Sequence, residues 1–285
     1  MQTLIETLYS LAPKVSELII LGETSYTTST NQSGDTQLAL DVQSDLLIQE
    51  ELASLQCVKA IFSEEKEEVI QTNPQGKYLV AYDPIDGSSL IAGNLSVGSI
   101  FGIYTDSFEG KNLVASAYIL YGPRLEIIVA TQKNISPIHK RYNPIEKTWS
   151  EAMPISLAPQ GKLNSPGGTQ KNWTSYHKSM IERLFNQGYR LRYSGGMVPD
   201  LHQILTKGGG LFSYPATSDA PQGKLRKLFE VFPFAFIFEC AGGEAIDGHQ
   251  RLLDLPISHS HESTQCFFGS KEEIKLVQEV YKDQK

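Results

Sequence analysis

The sequence predicts a layered α/β protein built from two subdomains. Five β-type runs follow one another between residues 58 and 131, which indicates helices packed on one extended sheet. From residue 176 onward helical and strand-like segments alternate, as in an α/β unit. Residues 136–168, enriched in Pro, Gly, Ser and Asn, separate the two halves. With the boundary near Leu157, the N-terminal subdomain spans residues 1–156 and the C-terminal subdomain spans residues 157–285.

The N-terminal half opens with two predicted helices. Apolar residues recur at helical spacing over residues 4–21, where Pro13 is expected to kink the helix or restart it. Residues 23–34 are polar and without periodicity, so they are predicted to form an exposed, mobile loop whose closure over a site would exclude water. A second amphipathic helix is predicted over residues 37–54. The five predicted strands are residues 58–62, 78–82, 96–104, 113–121 and 125–131.

In the C-terminal half, helices are predicted over residues 176–187 and 199–207, and strands over residues 189–193 and 210–214. The very apolar segment 228–241, with Pro233 near its start and two glycines after it, is typical of a buried helix. A last strand is predicted at residues 266–268. Ser270 and Glu273 then have the spacing of a capping box that opens the final helix.

The composition excludes several classes of protein. With 40% hydrophobic and 20% charged residues, the 285-residue chain has the make-up of a soluble globular protein. A formal net charge of −7 does not favour a broad basic face for nucleic acid or anionic membrane. Neither a transmembrane run nor a signal peptide is apparent, so a cytoplasmic location is predicted. Cys57, Cys240 and Cys266 are widely spaced, which favours reduced core thiols over disulfides or a zinc site.

The most informative stretch is Tyr82-Asp83-Pro84-Ile85-Asp86-Gly87-Ser88-Ser89, which closes a predicted strand. Two carboxylates at a strand end repel each other unless a cation lies between them, and such oxygen ligands suit Mg²⁺ or Mn²⁺. The glycine and the two serines then offer N–H groups and hydroxyls that can hold a phosphate. An ordinary Asp-Pro/Asp-Gly turn with solvated carboxylates explains the same residues. The motif alone leaves both interpretations open.

Further carboxylates fall at the ends of predicted elements, where one site could gather them: Asp35, Asp41, Glu64, Glu65 and Glu230. Each has a structural alternative that is favoured when the residue is taken singly. Asp35 could cap a helix, Asp41 could lie on a solvated helix face, the acidic run after residue 63 could be a solubilising loop, and Glu230 could be an exposed helix start.

Taken together and in order, these motifs resemble the class I fructose-1,6-bisphosphatase family, within the metal-dependent, lithium-sensitive sugar phosphatases. The resemblance covers nearly the whole chain and includes Val97-Gly98-Ser99-Ile100-Phe101-Gly102, Phe212-Ser213-Tyr214-Pro215-Ala216 and Gly223-Lys224-Leu225-Arg226. The stretch from Asp83 to Gly87 is shared with inositol monophosphatase-like enzymes, so only the ordered set is specific. The resemblance implies a sugar phosphatase fold with alternating helix and sheet layers, and hydrolysis of the 1-phosphate of fructose 1,6-bisphosphate in gluconeogenesis.

The same resemblance implies roles for individual residues. The ligands of two or three Mg²⁺ ions per subunit, replaceable by Mn²⁺, would be Glu64, Asp83, Asp86, Glu230 and the main-chain carbonyl of Ile85. The carboxylates that orient and deprotonate the attacking water would be Asp35, Asp41 and Glu65. The phosphate under attack would be held by Gly87, Ser88 and Ser89. The 6-phosphate and the sugar would be bound by Asn164, Tyr193, Tyr214 and Lys224. A solvated basic turn is the structural alternative for Lys224 and Arg226. Arg192 matches an arginine that enters from a neighbouring subunit, so a homo-oligomer is expected, with a tetramer favoured.

Some residues depart from the family pattern toward sedoheptulose-1,7-bisphosphatases. Leu90 stands where fructose enzymes carry Asn, and Gly167 replaces a tyrosine, whereas Asn164 and Tyr214 are of the fructose type. Fructose 1,6-bisphosphate is therefore the expected substrate, with a sedoheptulose or dual-specificity enzyme as the alternative. A catalytically idle sugar-phosphate-binding protein is an alternative of a different class. Inhibition by AMP is expected to be weak or absent, because the chain begins at about the second turn of the helix that builds the family's AMP site.

Overall fold

The structure, a computed structural model, describes residues 1–22, 26–30 and 36–284, with only the backbone described over 26–30 and 36–38. The described helices are α1 Gln2–Leu21, α2 Ala39–Ala53, α3 Ser175–Asn186, α4 Met197–Thr206, α5 Phe232–Cys240 and α6 Lys271–Tyr281. A π-helical turn, Lys227–Val231, leads directly into α5. Within these ranges, every helix is too short or too polar to cross a lipid bilayer.

The strands number eighteen in the described ranges. Those before residue 131 are β1 Tyr26–Thr30, β2 Thr36–Leu38, β3 Val58–Ser63, β4 Ile70–Gln71, β5 Tyr78–Asp86, β6 Val97–Tyr104, β7 Leu113–Tyr121 and β8 Leu125–Ala130. Those after it are β9 Ile138–Asn143, β10 Thr148–Trp149, β11 Met153–Pro154, β12 Leu163–Pro166, β13 Arg190–Leu191, β14 Gly210–Tyr214, β15 Leu225–Arg226, β16 Glu244–Ile246, β17 Ser263–Thr264 and β18 Cys266–Gly269.

The larger sheet has the strand order β10-β9-β8-β7-β6-β5-β3-β4, with β11 also paired to β9. All its pairings are antiparallel except that of β3 with β5. Successive residues of a strand face opposite sides. On β8, Ile127 and Val129 pack with the apolar side chains of α1 and α2, whereas Ile128 and Ala130 pack with those of α4 and α5. The sheet is thus buried on both faces.

The smaller sheet has the order β13-β12-β14-β18-β16, with β12 parallel to both of its neighbours. Phe212 and Phe268 face the α4/α5 layer, and Leu211 and Phe267 face α3 and α6. The chain therefore stacks helices, a sheet, helices, a second sheet and helices. This arrangement confirms the predicted fold of alternating helix and sheet layers, and it confirms the segment after residue 228 as a buried helix.

The predicted loop over residues 23–34 is wrong at Tyr26–Thr30, which forms β1 and pairs antiparallel with β2. The segment is polar, but it consists mainly of threonines, whose branched Cβ favours extended backbone. The second strand of this pair takes the residues predicted to open the helix, so α2 begins at Ala39. The other residues of the predicted loop lie outside the described ranges.

Three further differences lie after residue 136. Four strands, β9 to β12, run through the stretch predicted only as a boundary, and the strand predicted at 189–193 is reduced to Arg190–Leu191. Ser270 is the N-cap of α6 without a side-chain capping bond. The Glu273 carboxylate instead accepts bonds from the Gly161 N–H at 2.6 Å and the Tyr189 hydroxyl at 2.7 Å, so the predicted capping box is wrong.

The start of α4 packs directly on the backbone of β6 at Gly98. A Cβ at this position would fall on Val198 Cγ1 and lie 2.5 Å from the Ile119 carbonyl oxygen. We expect Gly98→Ala to lower the free energy of unfolding by about 1–3 kcal/mol, because either the helix or the strand must move. Urea denaturation measures this, with Gly93→Ala as control, since a Cβ there meets only the Leu95 side chain at 3.8 Å. Equal stabilities of the two variants would contradict this close packing.

Candidate active site

The site begins at the carboxyl ends of β3 and β5, which lie side by side because the two strands are parallel. Ser63 pairs with Tyr82, and the Glu64 N–H donates to the Tyr82 carbonyl at 2.9 Å. Glu64, just after β3, and Asp83, on β5, are therefore neighbours. Glu65 follows, and its N–H donates to the Ser63 hydroxyl at 3.2 Å.

A bulge in β5 turns its two aspartates toward one site. The pairing of β5 with β6 shifts register between Asp83 and Asp86, and Pro84 within the bulge has no N–H to pair. The Ser99 hydroxyl donates to the Pro84 carbonyl at 2.6 Å. In a regular strand, residues three apart point to opposite faces. Here one oxygen from each aspartate lies within 4.8 Å of the other.

Glu230 completes this group from the π-helical turn before α5. One oxygen each of Asp83, Asp86 and Glu230 lies within 4.8 Å of the other two, and all three side chains are buried. The Arg226 N–H donates to Glu230 Oε2 at 2.7 Å, which fixes the carboxylate. π-Helical turns inside helices often occur at functional sites. Because Glu230 is buried, the structural alternative of an exposed helix start is wrong.

The amino end of α4 supports Asp86. The N–H groups of Met197 and Val198 donate to its two oxygens at 3.0 Å and 2.6 Å. Asp200, which is fully buried, accepts from the N–H groups of Ser194 at 2.8 Å and Gly195 at 3.3 Å and so shapes the turn before the helix. This role of Asp200 was not predicted from the sequence, although an acid in the first turn of a helix was its signal.

Burial and mutual repulsion raise the pKa values of the carboxyl groups in this site. Burial raises the pKa of Glu64 to about 7, with Arg226 opposing the shift and Glu230 adding to it. Burial likewise raises the pKa of Asp86 to about 7, although its two N–H donors oppose the shift. Burial also raises the pKa of Glu230 to about 7, although Arg226 opposes the shift. Burial, and then the charge of Glu64, raise the pKa of Asp83 well above its usual range. At neutral pH the group therefore favours either protons or a cation.

These residues fit a hard divalent cation. Asp83 Oδ1 is buried and has no hydrogen-bond partner among the described residues, a costly state that a metal bond would relieve. The ligands are all oxygens, which suits Mg²⁺ and Mn²⁺ and disfavours softer ions. Ile85, the predicted carbonyl ligand, is buried in the same bulge. The geometry can therefore hold metal, and Glu64, Asp83, Asp86 and Glu230 would supply the charge.

Arg226 lies inside the carboxylate group. Its Nη1 atom pairs with Glu64 Oε1 and lies 3.9 Å from Glu230 Oε2, and its side chain is only 17% exposed. A solvated basic turn was the structural alternative for Lys224 and Arg226, and for Arg226 it is wrong. Lys224 is exposed, close enough for its charge to act on Glu230.

The three carboxylates predicted to transfer protons differ in their burial and in how much of their surroundings the structure describes. Asp41, in the first turn of α2, is 5% exposed, and its charge acts on Glu64, so the solvated-face alternative is wrong. Glu65 is half-buried, and its charge acts on Asp83. Asp35 lies outside the described residues.

The predicted phosphate-binding turn follows Asp86 without a gap. Gly87 has φ of 77°, a left-handed conformation that favours glycine, and it caps the 3₁₀ helix Ser88–Gly93. A Cβ at Gly87 would lie 3.2 Å from the Gly196 Cα. Ser88 is half-buried and Ser89 is exposed. An anion at this turn would be adjacent to a cation held by the carboxylates.

The predicted sugar-binding residues gather on the smaller sheet. Asn164 on β12 is fully buried, and neither polar atom of its amide has a partner among the described residues. Tyr214 ends the neighbouring β14. A Cβ at Gly167 would lie 2.5 Å from Tyr214 Cδ2 and 3.2 Å from Tyr193 Cε2, so the two tyrosines meet over this glycine. Burial raises the pKa of Tyr214 to about 12, and the charges of Tyr193 and Glu230 add to the shift. Because the charge of Glu230 acts on Tyr214, this cluster lies close to the carboxylates.

Arg192 is exposed just after β13. Its N–H donates to the Asn164 carbonyl at 2.9 Å, and its Nη1 donates to the Leu191 carbonyl at 2.8 Å. These bonds leave the rest of the guanidinium at the surface.

Comparison with known proteins gives two family matches. Residues 2–139 match the model described as Fructose-1-6-bisphosphatase, N-terminal domain, and residues 157–282 match Fructose-1-6-bisphosphatase, C-terminal domain. A class 1 fructose-1,6-bisphosphatase from Helicobacter hepaticus is 57% identical over 279 residues, covering 98% of each chain. One from Campylobacter curvus is 52% identical, covering 97% of this chain and 92% of that one.

Solved structures resemble the fold over almost its full length. The holo form of Leishmania major fructose-1,6-bisphosphatase gives a TM-score of 0.89 at 29% identity, covering 98% of this chain and 93% of that one. A candidate sedoheptulose-1,7 bisphosphatase from Toxoplasma gondii gives a TM-score of 0.90 at 30% identity, covering 99% of this chain and 94% of that one.

Proposed function

The chain belongs to the class 1 fructose-1,6-bisphosphatase family, and on that premise we propose that it hydrolyses D-fructose 1,6-bisphosphate at its 1-phosphate, giving fructose 6-phosphate and phosphate. It is accordingly a phosphoric monoester hydrolase of carbohydrate metabolism. The observation that carries the proposal is the meeting of Asp83, Asp86 and Glu230 within 4.8 Å, next to the left-handed turn at Gly87. We place the reaction in gluconeogenesis.

Glu64, Asp83, Asp86, Glu230 and the Ile85 carbonyl would hold the metal, which we propose to be two or three Mg²⁺ ions, with Mn²⁺ as a substitute. Bound divalent metal supplies charge neutralisation for the phosphoryl group and a lower pKa for water. The residue pattern supports this assignment through its oxygen-only donor set and through Asp83 Oδ1, which has no hydrogen-bond partner in the part of the chain that the structure describes.

The chain's own groups would divide the remaining work. Asp35, Asp41 and Glu65 would orient the attacking water and accept its proton as the water oxygen bonds to phosphorus. The bond between phosphorus and the oxygen on C1 would break, and that oxygen would take up a proton from solvent to become the C1 hydroxyl of fructose 6-phosphate. Gly87, Ser88 and Ser89 would donate to the phosphate under attack. The distal phosphate and sugar would be held by Asn164, Arg192, Tyr193, Tyr214 and Lys224. The amide of Asn164, which has no hydrogen-bond partner among the residues described, supports its place in this set.

We also propose a homotetramer in the cytoplasm, with the Arg192 guanidinium reaching a neighbouring subunit's site. The exposed position of Arg192 supports this sharing. All three cysteines, Cys57, Cys240 and Cys266, are free thiols, which supports a reducing compartment. The subdomain division at residues 156 and 157 remains a prediction.

Sedoheptulose 1,7-bisphosphate is the second candidate substrate, favoured by two observations. The tyrosine rings packed on Gly167 leave no room there for the side chain that fructose enzymes carry. Leu90 packs on the glycines before α4, with its Cδ1 atom 3.1 Å from where a Cβ of Gly196 would be. Asn164 and Tyr214 still favour the fructose compound.

Phosphate release from both sugar bisphosphates and from inositol monophosphate, with and without Mg²⁺ or Mn²⁺, tests the proposal. We expect metal-dependent release with the highest kcat/KM for fructose 1,6-bisphosphate. A large preference for the seven-carbon sugar would replace the substrate and keep the enzyme class. Release from neither bisphosphate, with ligand binding unchanged in Asp83→Asn, would instead favour a catalytically idle sugar-phosphate-binding protein.

A further inference from the structure

A second group of metal-binding side chains lies apart from the carboxylates of the proposed active site. It consists of Glu126 on β8, His139 on β9 and His202 on α4, which are 2%, 5% and 8% exposed. One donor atom from each lies within 4.8 Å of the others. Glu126 Oε2 is 2.7 Å from His139 Nε2 and 3.2 Å from His202 Nε2. Two imidazoles and a carboxylate thus converge on one point between the large sheet and α4.

Neighbouring groups orient these donors. The hydroxyl of Tyr118, a fully buried residue of β7, lies 3.0 Å from His202 Nδ1 and leaves Nε2 facing Glu126. The other carboxylate oxygen, Glu126 Oε1, accepts from Arg124 Nε at 2.7 Å, and Arg141 Nε lies 3.4 Å from it. Such outer partners fix the direction of metal ligands in established sites. The side chains of Arg124 and Arg141 are 64% and 46% exposed, so water screens their charges.

We propose that Glu126, His139 and His202 form a second metal site that binds one transition-metal ion of the Zn²⁺ or Co²⁺ type. Two imidazoles make this donor set softer than the all-oxygen set of the active site, so it selects against Mg²⁺. Two histidines and one glutamate, with the fourth position taken by water, form a known zinc ligand set. Small rotations of the two rings would bring the three donors to bond lengths of about 2.0–2.2 Å around a common ion.

The site has a direct structural consequence because it joins separate layers. β8 and β9 belong to the large sheet, whereas His202 belongs to α4, whose first N–H groups bind Asp86. A metal at this point would therefore hold α4 against the sheet and keep the donors of Asp86 in place. This role differs from the proposed phosphatase chemistry and does not depend on it.

Cobalt titration of the full-length protein, with the active site saturated by Mg²⁺, tests the proposal. We expect one Co²⁺ per chain and the visible absorption of a four-coordinate ion. His139→Gln and His202→Gln should each abolish this absorption. His249→Gln, at an exposed histidine, and Asp83→Asn, in the carboxylate site, should both retain it. Tyr118→Phe, which removes only an orienting hydroxyl, should weaken Co²⁺ binding about 10-fold.

Two further measurements distinguish loss of the metal site from misfolding of a variant. Circular dichroism identifies any unfolded variant, and the paramagnetic resonance spectrum of Cu²⁺ bound to the wild-type protein reports coordinated imidazole nitrogens without a mutation. Two nitrogens are expected. The proposal is overturned if the wild-type protein gives no saturable cobalt absorption, if the absorption survives both histidine substitutions, or if the copper spectrum reports oxygen ligands only.

Discussion

Asp83→Asn is expected to lower kcat/KM by at least about 10³-fold, the largest loss that we predict for a single substitution. Asp83 contributes one oxygen to the group it forms with Asp86 and Glu230, and its Oδ1 atom is buried without a hydrogen-bond partner among the described residues. Metal ions stabilise the transition state of phosphoryl transfer by several kcal/mol, and each 1.36 kcal/mol is a factor of ten in rate. Steady-state kinetics with saturating Mg²⁺ measures the effect.

The same substitution should leave the metal-free fold intact or make it more stable. Burial and the neighbouring charges already raise the pKa of Asp83 well above its usual range, so a neutral amide of the same shape removes repulsion. Urea denaturation of the metal-free proteins checks this point. Asp106→Asn is the matched control, because Asp106 is exposed with φ of 62°, a conformation that asparagine accepts readily. Activity of Asp83→Asn within tenfold of the control would refute the assigned role of Asp83.

The central motif shows how far the sequence could predict the site. The stretch from Asp83 to Ser89 is compatible with a plain turn or a metal site, and neighbouring residues alone do not decide between them. The structure favours the metal site, because the carboxylates of the motif are buried and the parallel pairing of β3 with β5 brings Glu64 beside Asp83. The bulge then turns Asp86 to the same side. Parallel pairing is a property of the whole sheet, which a local pattern does not contain.

Other features lay beyond a local pattern for the same reason. Glu126, His139 and His202 meet only because α4 docks on one particular sheet face, and no spacing of the three along the chain indicates this. Arg226 reads as a surface cation in a polar turn, yet the π-helical turn brings it between two glutamates. Glu273 has the correct spacing for a capping box, but a distant N–H group and a tyrosine hydroxyl bind it instead. In each case a tertiary contact outweighs the local preference.

The stability of the protein should depend on pH in opposite ways with and without metal. In the metal-free protein, burial raises the pKa values of Glu64, Asp86 and Glu230 to about 7, from the ordinary side-chain values of 4.5, 3.8 and 4.5. Between the two values the folded state holds more protons than the unfolded chain. The free energy of unfolding therefore falls as the pH rises through this window. We expect each of these groups to lower the free energy of unfolding by up to about 3 kcal/mol between about pH 5 and about pH 8, since one pKa unit corresponds to about 1.4 kcal/mol.

Saturating Mg²⁺ should reverse this trend, because the ion binds the ionised carboxylates and competes with protons for them. The gain in unfolding free energy on adding Mg²⁺ should therefore be small near pH 5 and largest near pH 8, while EDTA restores the metal-free curve. Subtracting the two curves cancels every titrating group outside the site, so urea denaturation at a series of pH values isolates the carboxylates. Parallel curves with and without Mg²⁺ would mean that Glu64, Asp86 and Glu230 are not the groups that bind the metal.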